Sequence, residues 1–262
     1  MDAKLKALRQ TCLKLSNICQ DGNLQSAFSC MDTIWCLYDK IMNWSKETAK
    51  DDARDRFVIS KGQATLALYA VLIEKGMFDM ADFQDMGSFH SRYCIQTDLT
   101  KFPEGGIENC AGSLGHGLPF AAGLAYAAKL KKNGSMVYVL TGDGEFCEGT
   151  MWETCLFASA KKLDNLCVII DDNHSVGAMI DMGDMKVKLE SFGFDVHRAD
   201  GHDLLELENA FSGFERNGRP KAVIASTVRG YGSRTLTEND VWFHKAPDDN
   251  ELVMLCREVQ EF

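Results

Sequence analysis

Residues 136–144 read Met-Val-Tyr-Val-Leu-Thr-Gly-Asp-Gly, and residues 166–173 read Leu-Cys-Val-Ile-Ile-Asp-Asp-Asn. Each stretch is a short apolar run, and each ends in residues with oxygen-bearing side chains. The runs predict buried strands at 136–140 and 166–170, and the segment 151–162 between them has the periodicity of a helix. A strand, a helix and a second strand of these lengths are typical of a βαβ unit, in which the two strands are parallel.

The same alternation of helices and strands continues on both sides of this unit. It predicts further strands at 56–59, 194–197 and 222–226, and helices at 3–18, 27–42, 64–74, 119–131 and 203–212. This order indicates an α/β fold: a mostly parallel sheet with helices on both faces. Because no repeat and no Pro- or Ser-rich linker interrupts the pattern, residues 1–262 are expected to form a single domain.

Composition excludes several classes of partner. The formal charge is −10, with Lys and Arg spread along the chain, which argues against nucleic acid and anionic membranes as partners. No apolar run reaches the roughly 18 residues of a membrane span. The ten cysteines contain no CxxC pair and several lie in apolar periodic runs, so they indicate reduced thiols and a cytoplasmic protein.

The two quoted strands point to a metal site. If they are neighbours in a parallel sheet, Asp143 and Asn173 lie side by side at its carboxyl edge. Carboxylate and amide oxygens suit Mg²⁺ or Ca²⁺, and such an ion can grip a diphosphate. Gly142 and Gly144 allow the backbone to approach the phosphates closely. The alternative is an ordinary strand-to-helix turn in which Asp143 caps the helix. The paired Asn173 favours the metal site.

This Gly-Asp-Gly to Asn spacing resembles the thiamine diphosphate motif shared by transketolases, pyruvate decarboxylases and related enzymes. The remainder resembles the N-terminal, diphosphate-binding domain of transketolase, collinearly from about residue 8 to 250. Four further segments carry the resemblance: Ser-Lys-Gly-Gln at 60–63, Gly-Ser-Leu-Gly-His-Gly at 112–117, Ala-Asp-Gly-His-Asp at 199–203 and Ser-Thr-Val-Arg-Gly-Tyr-Gly at 226–232.

The resemblance implies thiamine diphosphate and a divalent metal as cofactors, and it assigns roles by position. Asp143, Asn173 and the backbone carbonyl of Ser175 would ligate the metal. Glu148 and His244 would act in catalysis and contact the cofactor; the alternatives are a solvated acid at a helix start and an unremarkable loop histidine. The other residues expected at the cofactor are Gln63, Gly112, Ser113, Leu114 and Gly144.

Three family histidines are replaced, by Asn23, Gln63 and Phe102. In the family these histidines face the donor sugar and the reacting centre. The residues expected near the substrate are Asn23, Ser26, Lys61 and Phe102; for Lys61 a salt bridge is an equal alternative. Asn and Gln cannot shuttle protons near neutral pH, and Phe102 would make the donor pocket less polar. These changes are explained either by drift within a true transketolase or by a changed donor, such as an acetyl unit from pyruvate.

The resemblance further implies a partner. In the family, the glutamate that activates the cofactor lies on a pyrimidine-binding domain that follows this one. We therefore expect a second, C-terminal transketolase-like chain to supply it, in an α2β2 assembly that acts on small sugar or keto substrates. The expected reaction transfers a two-carbon ketol or acyl unit to an aldehyde or ketone. Alternatives are a thiamine diphosphate-dependent decarboxylase or dehydrogenase component, and a non-catalytic regulatory subunit.

Overall fold

A computed structural model describes residues 1–177 and 179–262. One five-stranded sheet forms its centre, in the order β1-β2-β3-β5-β4, and every neighbouring pair is parallel. The strands are β1 (Arg56–Ile59), β2 (Val137–Gly142), β3 (Leu166–Asp172), β4 (Asp195–Asp200) and β5 (Lys221–Ser226). Because β2 and β3 are neighbours, with Gly142 opposite Asp171, the segments that follow them meet at one edge.

Nine α-helices in the described part of the chain surround the sheet. They are α1 (Ala3–Cys19), α2 (Leu24–Cys36), α3 (Thr65–Glu74), α4 (Gly117–Lys131), α5 (Gly149–Ala160), α6 (Met185–Ser191), α7 (Leu204–Ser212), α8 (Arg234–Glu238) and α9 (Asp249–Glu261). The inner strands are buried on both faces, as parallel sheets covered by helices require.

Alternation along each strand divides the core into two layers. Tyr138 and Leu140 of β2 face one way and pack in a cluster with residues of α1, α2, α3, α7 and α9. Val137 and Val139 face the other way and pack with residues of α4, α5 and α6. Side chains of successive strand residues point to opposite faces, which explains this division. The predicted α/β fold with helices on both faces is confirmed.

Some element bounds differ from those predicted. The α2 helix begins at Leu24, not at residue 27, because the Asn23 side chain accepts a hydrogen bond from the Ser26 N–H and caps the helix. The β2 and β3 strands each extend two residues further than predicted, to Gly142 and Asp172. Their polar ends remain paired in the ladder, although hydrophobic periodicity has already stopped there.

Two global features bear on location. Within residues 1–177 and 179–262, no helix has both the length and the apolar character that crossing a membrane requires. All ten cysteines are free thiols. Several are fully enclosed, and burial raises the pKa of the Cys30 thiol to about 12.

Candidate functional site

A cavity of about 620 Å³ lies at the carboxyl edge of the sheet, where β2 and β3 end. Ligands of open parallel sheets bind at this edge. Nine of the residues predicted for the site line the cavity: Ser26, Lys61, Gln63, Leu114, Asp143, Gly144, Glu148, Asn173 and Ser175. The residues come from five separate segments of the chain, which the fold brings together.

Asp143 and Asn173 are joined through Ser175. The Ser175 hydroxyl donates to Asp143 Oδ1 at 2.7 Å, and the Ser175 N–H donates to Asn173 Oδ1 at 3.1 Å. Both site side chains are largely buried, with exposed fractions of 6% and 8%. The Val176 N–H donates to the second Asp143 oxygen at 3.3 Å. The loop after β3 therefore folds back onto the turn after β2.

This donor set fits a divalent cation that prefers oxygen. A carboxylate has about four acceptor positions, so the contacts to Asp143 leave capacity for a metal. Among the described residues there is no cluster of three or more His, Cys, Asp or Glu side chains that could hold a metal. The predicted arrangement is instead one carboxylate, one amide oxygen and a backbone carbonyl, which suits Mg²⁺ or Ca²⁺ better than zinc.

Lys61 forms a buried ion pair with Asp171, the residue that ends the apolar run of β3. Although burial by itself lowers it, the pKa of Lys61 is held above its ordinary value by the Asp171 carboxylate. The Lys61 stem also lies beside Gly142, 3.6 Å from where a Cβ would stand. Of the two interpretations offered for Lys61, the structure contains the salt bridge, although the side chain lines the cavity as well.

Glu145 ties three glycine-containing segments together. One carboxylate oxygen accepts from the Ser60 hydroxyl at 2.6 Å and from the Gly115 N–H at 2.9 Å, and the other accepts from the Gly142 N–H at 3.1 Å. Burial raises the pKa of Glu145, and these three donors oppose the rise. Sequence reasoning missed this residue, although it directly follows the quoted Gly-Asp-Gly.

Arg229 supplies a second cation to the cavity. Its guanidinium donates to Gln25 Oε1 at 2.8 Å and to Asp240 Oδ1 at 3.1 Å. Its Nε is buried and has no hydrogen-bond partner among the described residues. A buried donor without a partner costs free energy, so this atom fits an anionic ligand. Sequence reasoning also missed Arg229, although it lies in the quoted segment 226–232.

The segment that carries Arg229 is fastened from below by His202. The Val228 N–H donates to His202 Nε2 at 2.9 Å, so the ring proton is on Nδ1, which donates to Asp32 Oδ2 at 2.7 Å. Arg9 binds the same carboxylate. Burial alone would raise the pKa of Asp32, but Arg9 and His202 hold it below its ordinary value.

Two predicted cofactor residues lie beside the cavity without being among its lining residues. A Cβ on Gly62 would lie 3.4 Å from the Gly112 backbone nitrogen, so the 112–117 loop packs directly on the 60–63 segment. Ser113 follows in this loop and is exposed. Only Leu114 of the three predicted loop residues reaches the cavity.

Phe102 lies elsewhere. Its side chain is 2% exposed and packs in an aromatic cluster, with ring centroids 5.3 Å from Phe78 and 5.6 Å from Tyr93. Arg92 covers its ring at 4.4 Å. The expectation that Phe102 makes the donor pocket less polar is therefore wrong. An apolar ring in a segment next to a core is stabilised by burial with other rings rather than by facing a polar cavity.

Asn23 and His244 are also outside the cavity lining. Asn23 is buried and caps α2, as described above, while its Nδ2 has no partner among the described residues. His244 is exposed and lies edge-on to Phe243, at 4.6 Å between ring centroids. Phe243 itself lines the cavity, so His244 stands at its rim.

Comparison with known proteins identifies the family. Residues 2–261 match the family model described as the transketolase, thiamine diphosphate binding domain. The chain is 32% identical to one of the named subunits of apulose-4-phosphate transketolase from Actinobacillus succinogenes, over 100% of this chain and 96% of that protein. It is also 32% identical to human transketolase, covering 98% of this chain but 42% of the human enzyme.

Solved structures agree with these matches. A transketolase from Pichia stipitis superposes with a TM-score of 0.88 at 22% identity, over 98% of this chain and 40% of that one. The transketolase from Campylobacter jejuni gives 0.83 at 26% identity, over 99% and 42%. The chain thus spans about 40% of the length of the solved transketolases. The predicted resemblance is confirmed: this chain belongs to the transketolase family of transferases, and residues 2–261 are its thiamine diphosphate-binding domain.

Proposed function

We propose that the chain is the cofactor-anchoring component of a two-chain, thiamine diphosphate-dependent enzyme that transfers a two-carbon ketol unit from a ketose donor to an aldehyde acceptor. The observation that supports this most is the cavity in which Asp143, Asn173 and Ser175 meet at the sheet edge with Lys61 and Arg229 beside them. Oxygen donors for a metal and cations for phosphates are thereby held in one place.

In this proposal the residues of the chain anchor and orient the cofactor. Asp143, Asn173 and the Ser175 carbonyl hold Mg²⁺ or Ca²⁺, and the metal binds the diphosphate. The unpartnered Nε of Arg229 donates to a phosphate oxygen. Thiamine diphosphate, when bound, supplies the carbanion that attacks the donor carbonyl. Glu148 and His244, at the start of α5 and at the rim, are proposed to act in the half of the site that the partner completes.

An apolar surface supports the proposal of a partner. The outward faces of α4 and α5 carry Phe120, Leu130, Leu156 and Phe157, whose exposed fractions are 40%, 66%, 64% and 38%. Helices that are apolar on all sides are normally buried. This α4–α5 face begins at Glu148, which lines the cavity, so the surface and the open cavity are continuous.

We therefore infer that one chain, bearing the pyrimidine-binding domain and the activating glutamate, covers the α4–α5 face and closes the cavity, and that such pairs dimerise as α2β2. The relative from Actinobacillus succinogenes is by its name one component of a transketolase with more than one chain, and its alignment covers both proteins almost completely. The ten free thiols support a reducing, cytoplasmic location.

A ketol donor is favoured over an acetyl donor. The acetyl alternative depended on Phe102 lowering the polarity of the pocket, and Phe102 is buried in the aromatic cluster. The cavity instead has the Ser26 hydroxyl and the Gln63 amide in its wall. These groups can hydrogen-bond donor hydroxyls, and a site built to do so discriminates against analogues without them.

The test combines binding with turnover. Calorimetry should detect Mg²⁺-dependent binding of thiamine diphosphate, tighter with the partner chain present, and Asp143→Ala should abolish it because the metal loses its charged protein ligand. Reconstituted enzyme should use xylulose 5-phosphate in preference to pyruvate. Unchanged cofactor binding by Asp143→Ala would overturn the site, and a preference for pyruvate would overturn the ketol assignment.

A further inference from the structure

The Asp171 carboxylate is the most heavily bonded side chain near the cavity that neither the motifs nor the proposed chemistry uses. Its exposed fraction is 1%. One oxygen accepts from the Thr227 hydroxyl; the other accepts from Lys61 Nζ, from the Ser29 hydroxyl at 2.6 Å and from Asn173 Nδ2 at 3.3 Å. These donors belong to four different segments of the chain, so a single carboxylate joins them.

The contact to Asn173 has a consequence for metal binding. A primary amide has one end that accepts and one that donates, and only the oxygen end can ligate a cation. An ionised carboxylate accepts hydrogen bonds but cannot donate them. Asp171 therefore holds the amino end of the Asn173 amide, which leaves the oxygen directed to Ser175 and Asp143.

We propose that Asp171 is a positioning residue for the metal: it fixes the amide of Asn173 with its oxygen toward the cation. Lys61 is its counterion and stabilises a carboxylate that would otherwise be buried without a positive partner. This inference rests on the proposed metal role of Asn173 and assigns Asp171 and Lys61 to the support of that ligand. Partners of this kind that orient a ligand typically change metal affinity by about 10- to 100-fold when removed.

Removing Asp171 by itself would leave Lys61 buried and unpaired, and the variant could fail to fold. Two double variants avoid this problem: Lys61→Met with Asp171→Asn, and Lys61→Met with Asp171→Leu. Both lack the buried charges, and replacing a buried pair by neutral side chains of similar size is often tolerated. They differ in one property, since Asn at position 171 retains an acceptor oxygen for the Asn173 amide and Leu does not.

Mn²⁺ is the probe, titrated into the 262-residue chain with thiamine diphosphate present and followed by electron paramagnetic resonance. We expect the Leu double variant to bind Mn²⁺ at least about tenfold more weakly than the Asn double variant. Circular dichroism and thermal unfolding check that both are folded. Equal dissociation constants for the two folded variants would overturn the positioning role.

A third variant separates this inference from the proposed function. Asp143→Ala should lose Mn²⁺ binding if the metal site is correct. If Asp143→Ala binds as the unaltered chain does, the proposed site itself fails. If Asp143→Ala loses binding while the two double variants are alike, only the role of Asp171 fails. Asp172→Asn, which removes a neighbouring half-buried carboxylate, controls for the general loss of negative charge.

Discussion

Glu145 shows how one side chain can hold several loops of a site. Its carboxylate joins Ser60, Gly115 and Gly142, which come from three segments that converge on the cavity. No basic side chain forms an ion pair with it in the described part of the chain, so an ionised Glu145 is stabilised by three donors only. The stability of the site therefore depends on the protonation state of this residue.

Glu145→Gln should change how stability depends on pH. Burial raises the pKa of Glu145 above its ordinary value of 4.5 in the folded protein. The contribution of such a group is fully present below the unfolded pKa and is lost as pH rises through the folded pKa. The free energy of unfolding of the unaltered chain minus that of Glu145→Gln should thus fall as pH rises from about 4.5. Urea unfolding at a series of pH values measures it.

Glu153→Gln is the control for this measurement, because Glu153 is an exposed glutamate on α5. It removes one carboxylate without touching the loops. If the difference for Glu145→Gln stayed constant or rose with pH, the account of a carboxyl held above its ordinary pKa would be wrong.

At this scale the sequence allowed prediction of residues whose position follows from strand order, and not of those whose role depends on distant partners. Asp143 and Asn173 follow neighbouring strands, so their proximity could be predicted. Asp171 was visible in the same motif, but its donors, such as Ser29 and Thr227, are 142 and 56 residues away. Phe102 was misplaced because a family position does not reveal which way a side chain points.

Among the elements, α4 approaches the loop after β1 more closely than any side chain would allow. A Cβ on Gly117, the first residue of α4, would lie 2.4 Å from the Ser60 Cβ and 2.5 Å from its Cα. Glycine at this position lets the helix begin directly against the 60–63 segment, which carries Lys61 and Gln63 into the cavity. Helix packing and the cavity wall are thus coupled at one contact.

Gly117→Ala should destabilise the protein by about 1–3 kcal/mol, because the extra methyl group overlaps backbone that cannot move without shifting the cavity wall. Affinity for thiamine diphosphate should fall as well. Gly123→Ala is the matched control on the same helix, since a Cβ there meets nothing within 4 Å. It should stabilise the helix by up to about 1 kcal/mol. Chemical unfolding and calorimetry measure both effects; equal behaviour of the two variants would contradict the coupling.

The bounds of elements were less predictable than their order. Alternating apolar runs indicated all five strands, because burial on both faces leaves a continuous apolar pattern. The polar ends of β2 and β3 carry no such pattern, yet neighbouring strands keep them paired. The α6, α8 and α9 helices were not predicted, and α8 and α6 have only 5 and 7 residues, too short to show a reliable period.

For the whole molecule, the α4–α5 face distinguishes this chain from a self-sufficient enzyme. It exposes four large apolar side chains in succession, beside a cavity whose far wall must come from elsewhere. Fully burying one leucine contributes about 1.5–3 kcal/mol, so a few such residues suffice for a stable interface.

Leu156→Glu should weaken association with the partner chain by at least about tenfold, because a charged group would be buried in the interface. Val253→Glu on α9 is the control, since Val253 is equally exposed, at 71% against 64% for Leu156. Sedimentation velocity with the chain that supplies the pyrimidine-binding domain measures both. Equal weakening by the two variants, or none by either, would remove the α4–α5 face as the docking surface.

The single direction of the strands separates the protein into two rims. The carboxyl ends of β1, β2, β3, β4 and β5 carry every described residue of the cavity that follows a strand, whereas the opposite ends begin at Arg56, Val137, Leu166, Asp195 and Lys221, none of which lines it. Loops on that second rim can lengthen, carry a fused tag or adopt new contacts while coenzyme chemistry proceeds undisturbed. Evolution and protein engineers alike are free to rebuild one rim without renegotiating the other.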